Sequence, residues 1–148
     1  MKLTLTLMLG LVLGLAGTAQ AHHHRTGLRT PGTPVVIVGQ VTSAPHKVAG
    51  AVQKRFQIAL GPNRGDVYTL HIGDADMVGL GGEKFAASDL DDKQWVRAEG
   101  TLMDNPHRIK VSRLEVVGKD TESVKKTKYY HENSERGYIE EVTAPKPQ

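Results

Sequence analysis

The chemistry of this chain is easiest to read at three consecutive histidines, His22, His23 and His24. They follow Leu3 to Gly17, apolar apart from two threonines, and then Thr18-Ala19-Gln20-Ala21, which offers small residues at the two positions a signal peptidase reads. With Met1-Lys2 as a minimal positive start, residues 1–21 are expected to be a cleaved secretory leader. The mature chain would then open with a free amine at His22 and an imidazole at the third position, His24. A start one residue earlier would put His23 third. An amine, two intervening amides and that imidazole can wrap one Cu(II) or Ni(II) in a square plane, the geometry those ions prefer. Cu(II) or Ni(II) at the mature N-terminus is therefore the one cofactor the sequence suggests. A polar arm whose histidines bind nothing is the plain alternative.

Other groups could also do chemistry. Arg55, His71, Trp95, Arg97 and Lys110 combine cations with the only tryptophan, a set suited to an anionic, sugar-like or base-bearing ligand. His131 stands in the tail beside Tyr130, Glu132 and Asn133, with Tyr138 further on. The acids Asp74, Asp76, Asp89, Asp91 and Asp92 lack the spaced oxygen ligands and closing glutamate of a calcium loop and read as turn and cap residues. Gly79-Leu80-Gly81-Gly82 has neither the spacing nor the strand-to-helix setting of a dinucleotide loop. No nucleophile elbow and no H-E-x-x-H is present, so the chain is not expected to be an enzyme.

The elements that must position these groups follow from alternation. Val35 to Val41 is a β-branched run with apolar residues in both phases, interrupted at Gly39, as in a long strand bent at a glycine. Phe56, Ile58 and Leu60 alternate with polar neighbours, as do Tyr68, Leu70 and Ile72, around Gly61-Pro62-Asn63-Arg64-Gly65, which predicts a hairpin. Glu83 to Leu90 is read as a short helix anchored by Phe85 and Leu90, although Ser88-Asp89-Leu90-Asp91 could instead cap a separate turn. Gln94 to Leu102 and Arg108 to Val117 form the closing pair across Asp104-Asn105-Pro106-His107, and the change of apolar phase in the second predicts a bulge near Ser112-Arg113.

Three strands, a short helical connection and two strands is the order of the five-stranded OB barrel. The expected fold is thus all-β with one short helix, an OB-like β-β-β-α-β-β barrel over residues 34–118. A flexible His-containing arm (22–33) precedes it and a polar, partly disordered tail (119–148) follows. An open meander sandwich is the rival topology. On such a barrel Arg55, Gln57, Thr69 and His71 would face outward on strands two and three, with Trp95, Arg97 and Lys110 on neighbouring strands.

Composition narrows the partners. The chain has no cysteine, so an exported protein of this size must hold together by burial alone, which suits a periplasm. The formal charge is +3, yet residues 34–118 hold ten Lys/Arg against ten Asp/Glu and residues 119–148 six against six. A neutral barrel lacks the basic footprint of a nucleic-acid binder. The expected partner is a small ligand or an envelope protein, with no membrane span once the leader is removed.

The leader, the single barrel and the segment WVRAEGTLMDNPHRIKVSRLEV, in which Val96, Gly100 and Leu102 precede Arg108-Ile109-Lys110-Val111, resemble the small bacterial OB-fold proteins exported to the periplasm. That resemblance implies a periplasmic or secreted, non-catalytic binding module with ligand unknown. The Tyr130-His131-Glu132-Asn133 stretch is similar in composition to the post-barrel motif of periplasmic haem chaperones of cytochrome c maturation, although Tyr138 lies seven residues beyond His131. It implies metal or haem handling through the arm or His131 as the alternative function. Oligonucleotide or oligosaccharide binding at Trp95 is the lower one.

Overall fold

A computed structural model describes residues 30–62, 64–131 and 137–142. The expected leader, most of the arm with His22, His23 and His24, and residues 143–148 lie outside the described residues. The strands are β1 (Pro34–Ser43), β2 (Lys47–Val48), β3 (Ala51–Val52), β4 (Arg55–Ala59), β5 (Val67–His71), β6 (Asp76–Val78), β7 (Trp95–Leu102) and β8 (Arg108–Gly118). One helical turn, α1 (Thr121–Val124), and a last strand, β9 (Tyr138–Glu141), follow.

Five strands close on themselves. β1 pairs with β4, β4 with β5, β5 with β8, β8 with β7, and β7 returns to β1. Only the β5–β8 contact in this ring is parallel; the others are antiparallel. The result is a five-stranded mixed β-barrel, compatible with the OB fold. Closure leaves the barrel strands no open sheet edge. The period-2 side chains decide what lies inside. Phe56 and Ile58 face Leu70 and Tyr68 across the hairpin, and Val96, Ala98 and Leu102 meet Ile109, Leu114 and Val116.

Two local devices bend the ring. At Gly39, β1 leaves β9 and turns toward β4: residues 35–38 pair with β9, and residues 40–43 with β4. A Cβ at Gly39 would sit 2.9 Å from the Ala59 carbonyl oxygen, so only glycine allows the strands to close there. In β8, Glu99 pairs with Arg113 and Gly100 with Val111, which leaves Ser112 as the extra residue of a bulge. Its hydroxyl donates to the Glu99 carbonyl at 3.1 Å. The bend lies at the expected glycine, and the bulge where the apolar phase changes.

The connection between β5 and β7 differs from the expected helix over Glu83–Leu90. β6 pairs in parallel with the far half of β8. Gly82, at φ 84°, then turns the chain back so that Lys84 bridges Val78. The helical part shrinks to a 3-10 turn at Ala87–Asp89, where the Asp89 carboxylate accepts from the Ala86 N–H at 3.2 Å. Leu90 is buried and Phe85 packs on the core, so both residues anchor the segment as expected, but on a backbone that is not helical. The glycines favoured a tight turn over helix propagation. The small β2–β3 hairpin, with Ala49 and Gly50 both at positive φ, had no periodic signal in the sequence.

The tail is a second layer. Asp120 caps α1 by accepting from the Ser123 N–H at 2.7 Å. Val124 then packs with Val38, Trp95 and Val117 on the outside of the barrel, with Tyr129, Tyr130 and Tyr138 over them. β9 adds to β1 in register from Val35 to Val38. Thus residues 119–131 and 137–142 belong to the folded body.

Candidate functional site

The outward face of the β4–β5 hairpin carries a cleft of about 330 Å³. Its position follows from strand register. Arg55 pairs with His71 across the hairpin, and Gln57 with Thr69. The parallel contact then sets Arg108 beside Thr69 and Lys110 beside His71, while Ser43 of β1 is opposite Gln57. Two adjacent rungs therefore run across the barrel surface, Ser43–Gln57–Thr69–Arg108 and Arg55–His71–Lys110. Side chains two apart on a strand share a face, so hydroxyls, an amide, an imidazole and three cations crowd one side of the sheet.

The cleft is lined by Ser43, Gln53, Arg55, Gln57, Thr69, His71 and Arg108, with Ala44 and part of Phe56, and no carboxylate lines it. Neither Arg55 nor Arg108 makes an ion pair among the described residues. His71 is half-buried, and its Nε2 is out of solvent with no hydrogen-bond partner. Burial first, then the positive charges of Arg108 and Arg55, hold its imidazole below the ordinary histidine value, so it is neutral near pH 7. A patch with two unpaired guanidinium forks and no acid is suited to oxyanions, which match the planar N–H geometry in pairs.

The structure divides the five residues expected to bind ligand. Arg55 and His71 meet in this cleft. Arg97 and Lys110 border a second, broader hollow of about 530 Å³ beside β1, with Val35, Val36 and Val111 among its walls. There Arg97 donates to Glu99 at 2.6 Å, so its charge is already compensated. The larger hollow is the weaker candidate, because its lining is mainly aliphatic and its one arginine is engaged.

Trp95 corrects the expectation of a stacking platform. It lies outside the barrel but is only 1% exposed, covered by α1 and the tail tyrosines. Its Nε1 donates to Thr121 Oγ1 at 3.3 Å. A ring with no free face cannot stack on a base or sugar, so the ligand role given to Trp95 does not fit this geometry. The physical reason is that the tail's apolar residues, few and scattered in sequence, find their partner in the outward phase of β7.

Arg108 is the residue the sequence reading left out of the site. It was visible as the basic start of the last barrel strand. Its place beside Thr69 depends on the parallel β5–β8 contact, between strands separated by a long connection, and no local pattern encodes that neighbour.

His131 stacks on Tyr138, with ring centroids 4.2 Å apart and planes 11° from parallel. The two rings meet although seven positions separate them in sequence, and one face of the imidazole is covered. Among the described residues no three His, Cys, Asp or Glu side chains cluster to hold a metal. The acids of the loops have local duties: Asp74 pairs with Lys54 at 3.7 Å, Asp76 with Arg113 at 3.0 Å, and Asp92 accepts from the Ala44 N–H at 2.8 Å.

No protein-family model, curated protein or solved structure matches the chain.

Proposed function

We propose that this chain is a non-catalytic OB-type binding module, exported to the bacterial cell envelope, that takes a small anionic ligand on its β4–β5 face. The observation that carries the reading is the cleft in which Arg55 and Arg108, without an ion pair among the described residues, stand beside His71, with no carboxylate in the lining. The positive start, apolar run and A-x-A site of residues 1–21 support export. The resemblance to small periplasmic OB-fold proteins agrees with both parts.

The same lining favours binding over turnover. His71 has no carboxylate in the cleft to orient it or share its proton, as a general base ordinarily requires. Nucleic acid fits less well. The balanced charge of the barrel removes the phosphate-tracking field, and the face offers no exposed aromatic ring besides imidazole. The ligand is recognised by a few directed hydrogen bonds to an anionic group.

Titration with inorganic sulfate and phosphate, followed by amide chemical shifts, tests this reading. Saturable binding should perturb residues of β4, β5 and the start of β8. Replacing Arg55 and Arg108 together by glutamine should weaken it by at least about a hundredfold, since each charge-assisted hydrogen bond contributes about 1.5–3 kcal/mol. Binding that survives the double substitution would place the site elsewhere.

A further inference from the structure

We propose that the β4–β5 cleft accepts a compact oxyanion group bearing two negative charges, a sulfate or a phosphate, and that His71 takes up one proton as that group binds. This rests on the anion-binding reading above and specifies its ligand and its pH control.

The charge of the ligand follows from what it must neutralise. Arg55 and Arg108 approach from β4 and β8, on the two sides of β5, and neither is paired within the described structure. A singly charged carboxylate can compensate one guanidinium fork and would leave the other. A tetrahedral dianion presents oxygens in several directions and can engage both. Thr69 and Gln57, side by side between them, add uncharged donors for the remaining oxygens.

The proton follows from the charges around the imidazole. The groups facing His71 are Arg55 from β4 and Arg108 and Lys110 from β8. Lys54, at the end of β4, is paired with Asp74 beyond β5. Among the described residues, every unpaired charge that shares these strand positions is therefore positive. In the free protein burial, Arg108 and Arg55 hold it neutral, in that order of weight. An anion in the cleft cancels the field of the two arginines and offers the imidazolium an oppositely charged neighbour. The ring then takes a proton from solvent at Nδ1, since Nε2 is out of solvent, and the anion keeps its charge.

The sign is fixed by linkage. A group whose pKa is low in the free protein and higher in the complex draws in a proton on binding, so affinity rises as pH falls. The effect is bounded below by the free-protein value, which lies under the ordinary histidine value, and above by the bound value. It cannot exceed about tenfold per pH unit for one proton.

Calorimetric titration with sulfate at pH 7.5, 6.5 and 5.5 and fixed ionic strength provides the test, because sulfate itself does not titrate in this range. Repetition in two buffers of different ionisation heat counts the protons. The expected result is tightening of about tenfold across the range with net proton uptake, and a flat profile for His71→Gln that still binds. Inorganic phosphate and methyl phosphate, compared at one pH, distinguish a free ion from an esterified group as the natural source. Sulfate binding that depends on Arg55 and Arg108 but shows no proton uptake overturns this inference and leaves the anion-binding reading standing. A pH slope retained in His71→Gln also overturns it. No saturable binding of sulfate or phosphate overturns both.

Discussion

Removing the Trp95 side chain should unlock the tail from the barrel, and the size of the effect can be worked out. The indole is 1% exposed and lies between Val38, Val117 and Val124, under Tyr129, Tyr130 and Tyr138. A buried tryptophan removes roughly 200 Å² from water. At about 25 cal/mol per Å², that is about 5 kcal/mol of transfer free energy. Large-to-small replacements of aromatic core residues cost about 3–5 kcal/mol. Trp95→Ala should therefore consume a large part of the stability of a domain this size, which is on the order of 5–15 kcal/mol. Trp95→Phe keeps most of the ring volume but leaves Thr121 without the Nε1 donor, and should cost roughly 1–2 kcal/mol. Guanidinium unfolding followed by far-ultraviolet circular dichroism measures both. In the native protein Trp95 is the only indole, so acrylamide quenching reports its burial directly. The folded Trp95→Phe protein should bind sulfate as the parent does. A loss below about 1 kcal/mol in Trp95→Ala, or free quenching of the native indole, would refute the packed-tail geometry.

Two further outcomes are expected. Asp120 is held below the ordinary carboxylate range, first by the Ser123 N–H and then by the Ser123 hydroxyl. A carboxylate depressed on folding adds stability that is complete above its unfolded value and is lost as pH falls through the folded one. Asp120→Asn should therefore flatten the acid side of the stability profile below about pH 4, read as urea midpoints from pH 6 to pH 3; an unchanged acid limb removes Asp120 as a contributor. Mature protein beginning at His22 should take up one equivalent of Cu(II) with a visible d–d band near neutral pH. Deletion of His22 to His24 should abolish the band while sulfate binding persists, and a protein with a confirmed His22 start and no band ends the N-terminal metal reading.

Alternation along Phe56–Leu60, Tyr68–Ile72 and Trp95–Leu102 made the barrel strands legible, and the phase change in β8 even located the bulge at Ser112. These features are local. A side chain's face depends on its parity within a strand, and a bulge shows itself as a broken parity. The helix expected over Glu83–Leu90 failed for a related reason: its two apolar anchors fit a helix or an extended return equally well, and the turn at Gly82 decided between them.

The site was legible only in pieces. Arg55 and His71 could be paired from the hairpin, because a short loop fixes register. Arg108 could not be added, since a parallel contact between distant strands leaves no mark in either strand's own pattern. At Trp95 outward parity does not bring exposure, because Val124 and the tail tyrosines cover that face.

The sequence by itself determined which residues face into the barrel, where its strands bend, and which residue types are available for binding. Only the tertiary structure decided that Arg55, His71 and Arg108 share one cleft without an acid, and that the lone tryptophan belongs to the fold. Side-chain parity is set by neighbours along the chain. Charge compensation and burial are set by neighbours in space, and those exist only once the barrel has closed and the tail has docked.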